Sequence, residues 1–273
     1  MKTLFLMIIV LVYSIGNLVA PDKFNYKPVS HQATATPTTR FTPQPNSSNG
    51  SDTDNYPVIQ RGGSDAPVPV NTGNSGTAGN SPTEMFGEAK VADTFDRGSS
   101  GFGLSAGLND DENIRIIALN NRLSLEPKKN NGWISWRLRP PVIQSGAVEM
   151  QFSIITCARG DRAGIMMHTP DYNSGNGYYF SLACEGTVSI LRDSTVLGTA
   201  DARNVFKNSS GDINVISAVV QGNTMTLMLN GTSLITVQDS TYAEGFSGFF
   251  VSPQGDKTLT MDILSFNEYY PDE

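Results

Sequence analysis

The chain has 273 residues, enough for one large domain or two small ones, and 26 acidic against 19 basic residues give it a formal net charge of −7. Nucleic acids are bound by neutralising their phosphates with Lys and Arg, and the sequence contains no basic cluster. We therefore expect no nucleic-acid partner, and the same deficit disfavours an anionic membrane surface.

The chain begins with an apolar segment. Lys2 precedes an uncharged run from Thr3 to Ala20, which is typical of a secretory signal, with cleavage after Gly16 or after Ala20. The run also approaches the minimum length of a membrane-spanning helix, so an uncleaved anchor is the alternative. Residues 1–20 thus predict a signal peptide or a membrane anchor, and a protein that is extracellular or held at the cell surface.

Residues 21–88 differ in composition from the rest of the chain. Nine of the 15 prolines lie before residue 90, and apolar residues are sparse and follow no period. Such a stretch cannot bury enough surface to offset the entropy that is lost on ordering. We predict a disordered linker over 21–88, which separates a folded domain, residues 89–273, from the N-terminal segment.

From Val91 onward, the sequence alternates as β-strands do. In the stretch GAVEMQFSIIT, Val148, Met150 and Phe152 share one face, and GNTMTLMLNG alternates in the same way. About ten such stretches, separated by turn residues, indicate a sandwich or a barrel. Between two of these stretches, Asn230-Gly231 predicts a type I′ hairpin turn, because both residues tolerate positive φ angles.

An ordered set of these stretches carries a family resemblance. The set comprises GIMMHTPDYNSGNGYYFSLAC, the LNG hairpin, GFSGFF and the closing MDILSF, within residues 90–270. It resembles the concanavalin A-like lectin/glucanase superfamily, especially the laminin G-like and 3-keto-disaccharide hydrolase-like domains of secreted bacterial proteins. The resemblance implies an all-β jelly-roll sandwich of two antiparallel sheets, here preceded by an N-terminal apolar helix and a disordered linker. One departure is that Met167 and His168 stand where many relatives carry an arginine.

The predicted domain lacks an evident catalytic set. Glucanases of this superfamily carry acidic residues in the form E-x-D-x-x-E on one strand, whereas Glu149 and Asp262 each stand alone. His168 is the single histidine of the domain, and with two cysteines it gives no zinc-binding spacing. We predict no catalytic residue and no metal site; a hydrolase of modified disaccharides is an alternative that only the resemblance suggests.

The acidic run of Asp110, Asp111 and Glu112 admits two interpretations. Calcium prefers carboxylate and carbonyl oxygens, so the run is either a calcium site or a solvated acidic loop. We favour the solvated loop, and we expect no other cofactor.

The two cysteines are predicted to form a disulfide. An exported protein folds in an oxidising compartment, and Cys157 and Cys184 follow two strands that we expect to end at the same end of one sheet. An intervening strand would hold them roughly 9–10 Å apart, so the strand ends must curl inwards for the sulfurs to meet.

Aromatic residues near loops are the best candidates for ligand contacts, because sugar rings can stack their C–H faces on Trp and Tyr. Trp133 and Trp136 point to opposite faces of a strand, so one of them is expected to be exposed, and we assign Trp136 as the contact. Tyr178 shares the parity of Phe180 and is expected in the core, which leaves Tyr179 facing outwards.

The loop PDYNSGNG completes the predicted site. Its polar residues offer donors and acceptors to sugar hydroxyls, and Tyr172 adds a flat apolar face beside them. The predicted ligand-binding residues are Asp171, Tyr172, Asn173, Asn176, Tyr179 and Trp136.

The preferred function is that of an exported, tethered, non-catalytic and lectin-like module that binds a glycan or another cell-surface component. The principal alternative is a structural, adhesion or protein-interaction module of the envelope. Fold alone does not separate the two, because one fold hosts many functions.

Overall fold

The computed structural model describes residues 77–78, 80–130, 132–254 and 259–271. The predicted N-terminal segment, 1–20, and most of the predicted linker lie outside the described residues. Within the described ranges, no helix combines the length and the apolar character that crossing a membrane requires.

Strands make up almost all of the regular structure. The helix in the described ranges, α1, covers Pro82–Phe86. The strands are β1 Thr77–Ala78, β2 Val91–Asp93, β3 Gly98–Ser99, β4 Leu104–Ser105, β5 Gly107–Asp110, β6 Ile114–Ala118, β7 Leu123–Pro127, β8 Ser135–Ile143, β9 Gly146–Thr156, β10 Arg162–Thr169, β11 Tyr178–Ala183, β12 Thr187–Arg192, β13 Thr195–Asp201, β14 Ile213–Gln221, β15 Thr224–Leu229, β16 Thr232–Gln238, β17 Gly245–Ser252 and β18 Thr260–Tyr269.

These strands form two large sheets and one small one. The larger sheet has ten strands in the order β1-β16-β15-β14-β9-β18-β7-β6-β5, with β2 also paired to β18. The second has six strands in the order β13-β12-β11-β10-β17-β8, and β3 pairs with β4. Neighbouring strands in the two large sheets run antiparallel. The predicted all-β sandwich of two antiparallel sheets is therefore confirmed.

The inward faces of the two large sheets enclose the main apolar core. Phe152 and Ile216 point into it from the ten-stranded sheet, and Tyr178, Phe180 and Phe249 from the six-stranded sheet. Burying side chains of this size contributes roughly 1.5–3 kcal/mol each. The core position of Tyr178 agrees with the prediction from its parity with Phe180.

A buried ionic cluster links the two sheets at the β8 edge. Arg139 of β8 lies 3.3 Å from Asp93 and 3.6 Å from Glu268 of β18. Ser247 of β17 donates a hydrogen bond to Glu268. Burial raises the pKa of Glu268. Because the cluster is enclosed between the sheets, it acts as a polar cross-link and not as a ligand site.

The predicted hairpin turn at Asn230-Gly231 is present, with φ angles of 50° and 78°. Asn230 also does more than shape the backbone. Its side-chain Nδ2 donates to the carbonyl oxygen of Val205 and to Asn214, and its Oδ1 accepts from the backbone N–H of Val215. The turn is thereby tied to the neighbouring connection that leads into β14.

Residues 77–78 and 80–93 form an ordered segment that we call the strap. Its first residues pair with β16, and its last strand, β2, pairs with β18. Between them α1 begins with a reciprocal capping box, in which Ser81 and Glu84 each accept a hydrogen bond from the other's backbone N–H. The described part of 77–88 is therefore structured, which corrects the prediction that the linker extends to residue 88.

The strap is ordered because it covers an apolar patch on the outside of the ten-stranded sheet. Met85, Phe86 and Ala89 pack against this patch. The patch consists of Ala147, Val219, Met228 and Tyr269. Without the strap these side chains would face water, so the burial of apolar surface offsets the ordering entropy that the composition argument emphasised.

The predicted disulfide between Cys157 and Cys184 is confirmed, with the two Cα atoms 6.0 Å apart. The expected placement of the two strands on one sheet is wrong. Cys157 follows β9 of the ten-stranded sheet, and Cys184 follows β11 of the six-stranded sheet. The bridge therefore joins the two sheets at one end of the sandwich.

Candidate functional site

The outer face of the six-stranded sheet, turned away from the core, carries an unusual set of side chains. Strand register places Leu138, Met166, Tyr179 and Leu191 in one row across this face, with Gly248 between the first two. Outward positions of a sandwich are ordinarily polar. This row, which we call the apolar row, is an exception that needs a cover.

A second row lies beside the apolar row and changes character along its length. Trp136 and Phe250 stand at the β8 end, and Gly164 follows on β10. Ser181 and Ser189 continue the row on β11 and β12. Neither row contains a carboxylate, so the outer face offers aromatic surface at one end and hydroxyl groups at the other.

The connection between β10 and β11, residues 170–177, folds back over the aromatic end of this face. The ring of Tyr172 stacks on that of Phe246, with centroids 4.2 Å apart and planes tilted by 32°. The backbone of Gly175 lies on the indole of Trp136, because a Cβ built there would come within 3.1 Å of Trp136 Cη2. Glycine is therefore the residue that permits this close approach.

Hydrogen bonds attach the 170–177 loop to the sheet at three points. The indole N–H of Trp136 donates to the carbonyl oxygen of Tyr172 at 3.2 Å. The hydroxyl of Tyr179 donates to the carbonyl oxygen of Gly175. At the end of the loop, the backbone N–H of Gly177 donates to Asp193 Oδ1 at 2.9 Å.

The same loop is also braced internally. Asp171 Oδ1 accepts from the backbone N–H groups of Asn173 and Ser174, both at 2.8 Å. Ser174 Oγ in turn accepts from the N–H of Asn176 at 3.2 Å. The hydrogen bond from Asn173 is the main reason that the pKa of Asp171 is held below its usual value. Asp171, Asn173 and Asn176 are exposed, so the loop carries polar residues beside the aromatic end of the outer face.

Most of the predicted ligand-binding residues thus come together, but Tyr179 is not exposed as expected. Its parity does direct it outwards, yet it is only 5% exposed because the 170–177 loop covers it. Burial raises the pKa of its hydroxyl. Trp136 and Tyr172 are half-buried. Whether any of these residues contacts a ligand stays a prediction.

Two aromatic residues of this cluster were missed by the sequence argument. Phe246 and Phe250 join Trp136, Tyr172 and Tyr179 on the outer face. The stretch GFSGFF does alternate, so its parity was a signal that could have placed both rings on the face opposite to Phe249.

A polar network borders the loop at the same end of the sheet. Tyr242 donates to Asp193 at 3.0 Å, and the ring of His168 bonds through Nδ1 to the Tyr242 carbonyl oxygen at 2.8 Å. Tyr178 donates to Asp239 at 2.6 Å, and this bond helps to raise the pKa of Tyr178 to about 12, after burial as the larger cause. Burial lowers the pKa of His168. His168 is fully enclosed, so its place in this network is structural.

The isolated carboxylates that the sequence analysis considered lie on the other sheet. Asp262 accepts hydrogen bonds from Ser124 at 2.6 Å and from Arg122 at 3.0 Å. Glu149 accepts a weaker one from Ser217 at 3.4 Å. Each carboxylate therefore has its own partners, and neither belongs to the outer face of the six-stranded sheet.

The acidic run does not present a free set of calcium ligands. Asp110 lies 2.7 Å from Lys128 and 3.6 Å from Arg115, and Asp111 forms a salt bridge with Arg137. The pKa of Asp111 is held below its usual value by backbone hydrogen bonds and by Arg137, against the opposing effect of burial. A calcium ion would have to displace these cations, so the donor set does not fit it.

One group of the described residues has ligand atoms close enough to hold a metal ion, namely Cys157, Asp161 and Cys184. The two sulfurs are bonded to each other, and a metal would need them as thiolates. Asp161 accepts backbone hydrogen bonds from Ala158 and Gln254, both at 2.8 Å. The group therefore serves to hold the loops at the disulfide end.

Comparisons with known proteins support the fold. No protein-family model and no curated protein sequence matches the chain. A Bacillus subtilis protein of unknown function with a galectin-like fold is similar at a TM-score of 0.53, with 11% identity over 67% of this chain and 96% of that chain. The carbohydrate-binding module CBM66 from Bacillus subtilis has a TM-score of 0.45, with 13% identity over 67% of this chain and 97% of its own.

A third similar structure is SCLam, a non-specific endo-β-1,3(4)-glucanase from family GH16, with a TM-score of 0.47 and 13% identity over 68% of this chain and 91% of its own. Identities this low bear on architecture and not on activity. The similarity at a TM-score of 0.53, together with the two antiparallel sheets described above, confirms the all-β jelly-roll sandwich that the sequence resemblance implied.

Proposed function

We propose that this domain binds carbohydrate without catalysing its breakdown, and that the chain is exported and held at the cell surface. The observation that carries the proposal is the aromatic cluster on the outer face of the six-stranded sheet. Trp136, Tyr172 and Phe246 retain partial exposure there, at positions where a sandwich ordinarily shows polar side chains to water.

The chemistry around the cluster suits a sugar. Pyranose rings have apolar C–H faces that stack on aromatic rings, and hydroxyl edges that need hydrogen-bonding partners. Asp171, Asn173 and Asn176 supply such partners in the loop beside the aromatic end, and backbone hydrogen bonds hold the Asp171 carboxylate in place. An apolar surface with a polar border favours carbohydrate over a wholly apolar ligand.

A non-catalytic role is supported by the composition of the two outward rows. Glycoside hydrolysis ordinarily uses two carboxylates on either side of the scissile bond. The rows that cross the outer face contain aliphatic, aromatic, glycine and serine residues, with no Asp or Glu among them. A sugar lying on this face would therefore meet no acid–nucleophile pair from the strands beneath it.

Export is supported by two features. The apolar run after Lys2 has the form of a secretory signal or an anchor. The disulfide between Cys157 and Cys184 belongs to the kind that persists in oxidising compartments outside the cytosol.

The test begins with a broad glycan array, followed by calorimetric titration of the glycan that binds best. We expect a dissociation constant of about 1 mM, which corresponds to about 4 kcal/mol. Trp136→Ala should remove most of the binding. Trp133→Ala is the matched control, because Trp133 is also half-buried but packs against Lys129, 4.3 Å from its ring, and not within the outer cluster.

The melting temperature of each variant decides whether a loss of binding reflects the site or the fold. If the wild-type chain binds no glycan, the proposal is rejected. A structural or protein-interaction module is then the remaining function. Turnover of a chromogenic glycoside or a keto-sugar would reject the non-catalytic part.

A further inference from the structure

We propose that residues 170–177 form a lid, and that the apolar row, together with Trp136 and Phe250 at the aromatic end of the second row, is a covered binding surface for the same glycan chain. The inference rests on the proposed function, because it names where on the outer face the sugar rings would lie. It is drawn from a conflict in the closed structure: the ring of Trp136, which should stack on a sugar, is covered by Gly175.

The covered surface is extensive and continuous. Met166 is fully buried, Phe250 is 3% exposed and Tyr179 is 5% exposed, although all three side chains leave the outer side of the sheet. The rings of Tyr179 and Phe250 meet edge to face, with centroids 5.1 Å apart. Neighbouring strands are roughly 4.8 Å apart, so the row forms an apolar strip that runs across several strands and matches an extended chain better than a compact ligand.

The lid is built to move as one piece. The hydrogen bonds of Asp171 and Ser174 join lid residues to each other, so they survive displacement of the lid. What must break is the Tyr172–Phe246 stack and the hydrogen bonds from Trp136 and Tyr179. Motion of this kind needs a pivot, and glycine suits this role because no side chain restricts its backbone.

Gly177 meets this requirement at the C-terminal end of the lid. Its φ angle of 139° belongs to a region that other residues rarely adopt, and a Cβ there would come within 2.8 Å of Thr169 Oγ1. The N–H of Gly177 is held by Asp193, so the pivot itself stays fixed to the sheet while the rest of the lid swings.

In water the closed lid is the favoured state, because opening exposes the apolar row. A ligand with apolar faces changes this balance, since it covers the row in place of the lid. The lid then closes on the bound chain, which brings Tyr172 onto the upper side of a sugar ring while Trp136 lies beneath. The apparent affinity is therefore reduced by the fraction of time that the free lid is closed.

The first experiment measures the lid without any glycan. The chain has two tryptophans, so Trp133→Phe leaves Trp136, beneath the lid, as the single tryptophan, which can be excited selectively. In that background, Tyr179→Phe removes the hydrogen bond to Gly175 but keeps the ring in place. We expect acrylamide quenching of Trp136 to rise, because loss of one neutral hydrogen bond raises the open fraction of the lid about 2- to 10-fold.

Tyr269→Phe is the matched control, because Tyr269 is also 5% exposed but lies under the strap on the other sheet. It should leave the quenching of Trp136 unchanged. Equal quenching in Tyr179→Phe and Tyr269→Phe would overturn the lid, whether or not a glycan has been found.

The second experiment adds the array-selected glycan in rapid-mixing fluorescence. A lid that must open predicts an observed binding rate that levels off as the glycan concentration rises, and tighter binding by Tyr179→Phe, whose lid is open for a larger fraction of the time. A rate that rises without limit, with unchanged affinity in the variant, would overturn the covered site while leaving the proposed function intact. If no glycan binds, the proposed function and the assignment of the row as its site both fail, and the first experiment still decides whether the loop opens.

Discussion

Each outer face of this sandwich has an apolar patch that a chain segment covers, and the two covers are built differently. The strap on the ten-stranded sheet inserts Met85, Phe86 and Ala89 into its patch and is paired with strands at both ends. The lid on the six-stranded sheet contributes the ring of Tyr172 and otherwise rests on its patch with backbone.

The difference separates a permanent cover from a displaceable one. A segment that buries its own apolar side chains cannot leave without exposing both partners to water. A polar loop that covers apolar residues with its backbone exposes mainly the patch when it leaves, and another apolar surface can take its place. The strap therefore belongs to the fold, whereas the lid belongs to the site.

Breaking the disulfide should have the largest effect on stability and none on the lid. Cys184 lies beyond the end of β11 that is opposite the lid, and the bond closes a separation of 27 residues. Reduction, or the double variant Cys157→Ser/Cys184→Ser, should lower the free energy of unfolding by about 3–4 kcal/mol. Chemical denaturation measures this loss. If quenching of Trp136 beneath the lid rose together with this loss, the separation of the two ends would be contradicted.

Loosening the strap should have the next largest effect on stability. Met85→Ser combined with Phe86→Ser should lower the free energy of unfolding by about 2–4 kcal/mol, because both half-buried side chains cover the patch at Val219 and Met228. Leu108→Ser, at a position that is 63% exposed, is a control that should change stability by less than about 0.5 kcal/mol. If the strap variant were as stable as that control, the strap would not contribute to the stability of the fold.

What the sequence could predict follows from how local each signal is. Strand alternation and the turn at Asn230-Gly231 depend on neighbours in the chain, and both appear in the structure. The strap also had a local signal, because SPTE reads as a capping box with Pro82 at the first helical position. The composition of residues 21–88 taken together concealed this local signal.

The remaining differences come from contacts between distant parts of the chain. The parity of Tyr179 gives its direction correctly, but its burial depends on a loop that folds back over the sheet. The pairing of Cys157 with Cys184 was predictable from a count of two, whereas their placement on different sheets depends on the order in which strands pair. Periodicity carries no information on either point.

Lowering the pH should have the smallest effect, and it should act on the lid and not on the strap. The lid is braced by the Asp171 carboxylate, whose pKa lies below its usual value of 3.8, mainly because the N–H of Asn173 bonds to it. A lowered pKa means that the bracing is fully present above about pH 3.8 and is lost as the pH falls through the lowered value.

Amide exchange over 173–177, corrected for its intrinsic pH dependence, should therefore accelerate modestly in wild-type protein at acid pH, while exchange over the strap helix serves as the internal reference. Asp171→Asn keeps an oxygen that can accept the same hydrogen bonds without a titrating charge, so its lid should exchange at one corrected rate throughout. The effect is small because Asp171 is exposed and water screens its charge. Identical profiles for the two proteins would show that the carboxylate does not brace the lid, and its rigidity would then have to come from the backbone at Gly175 and Gly177.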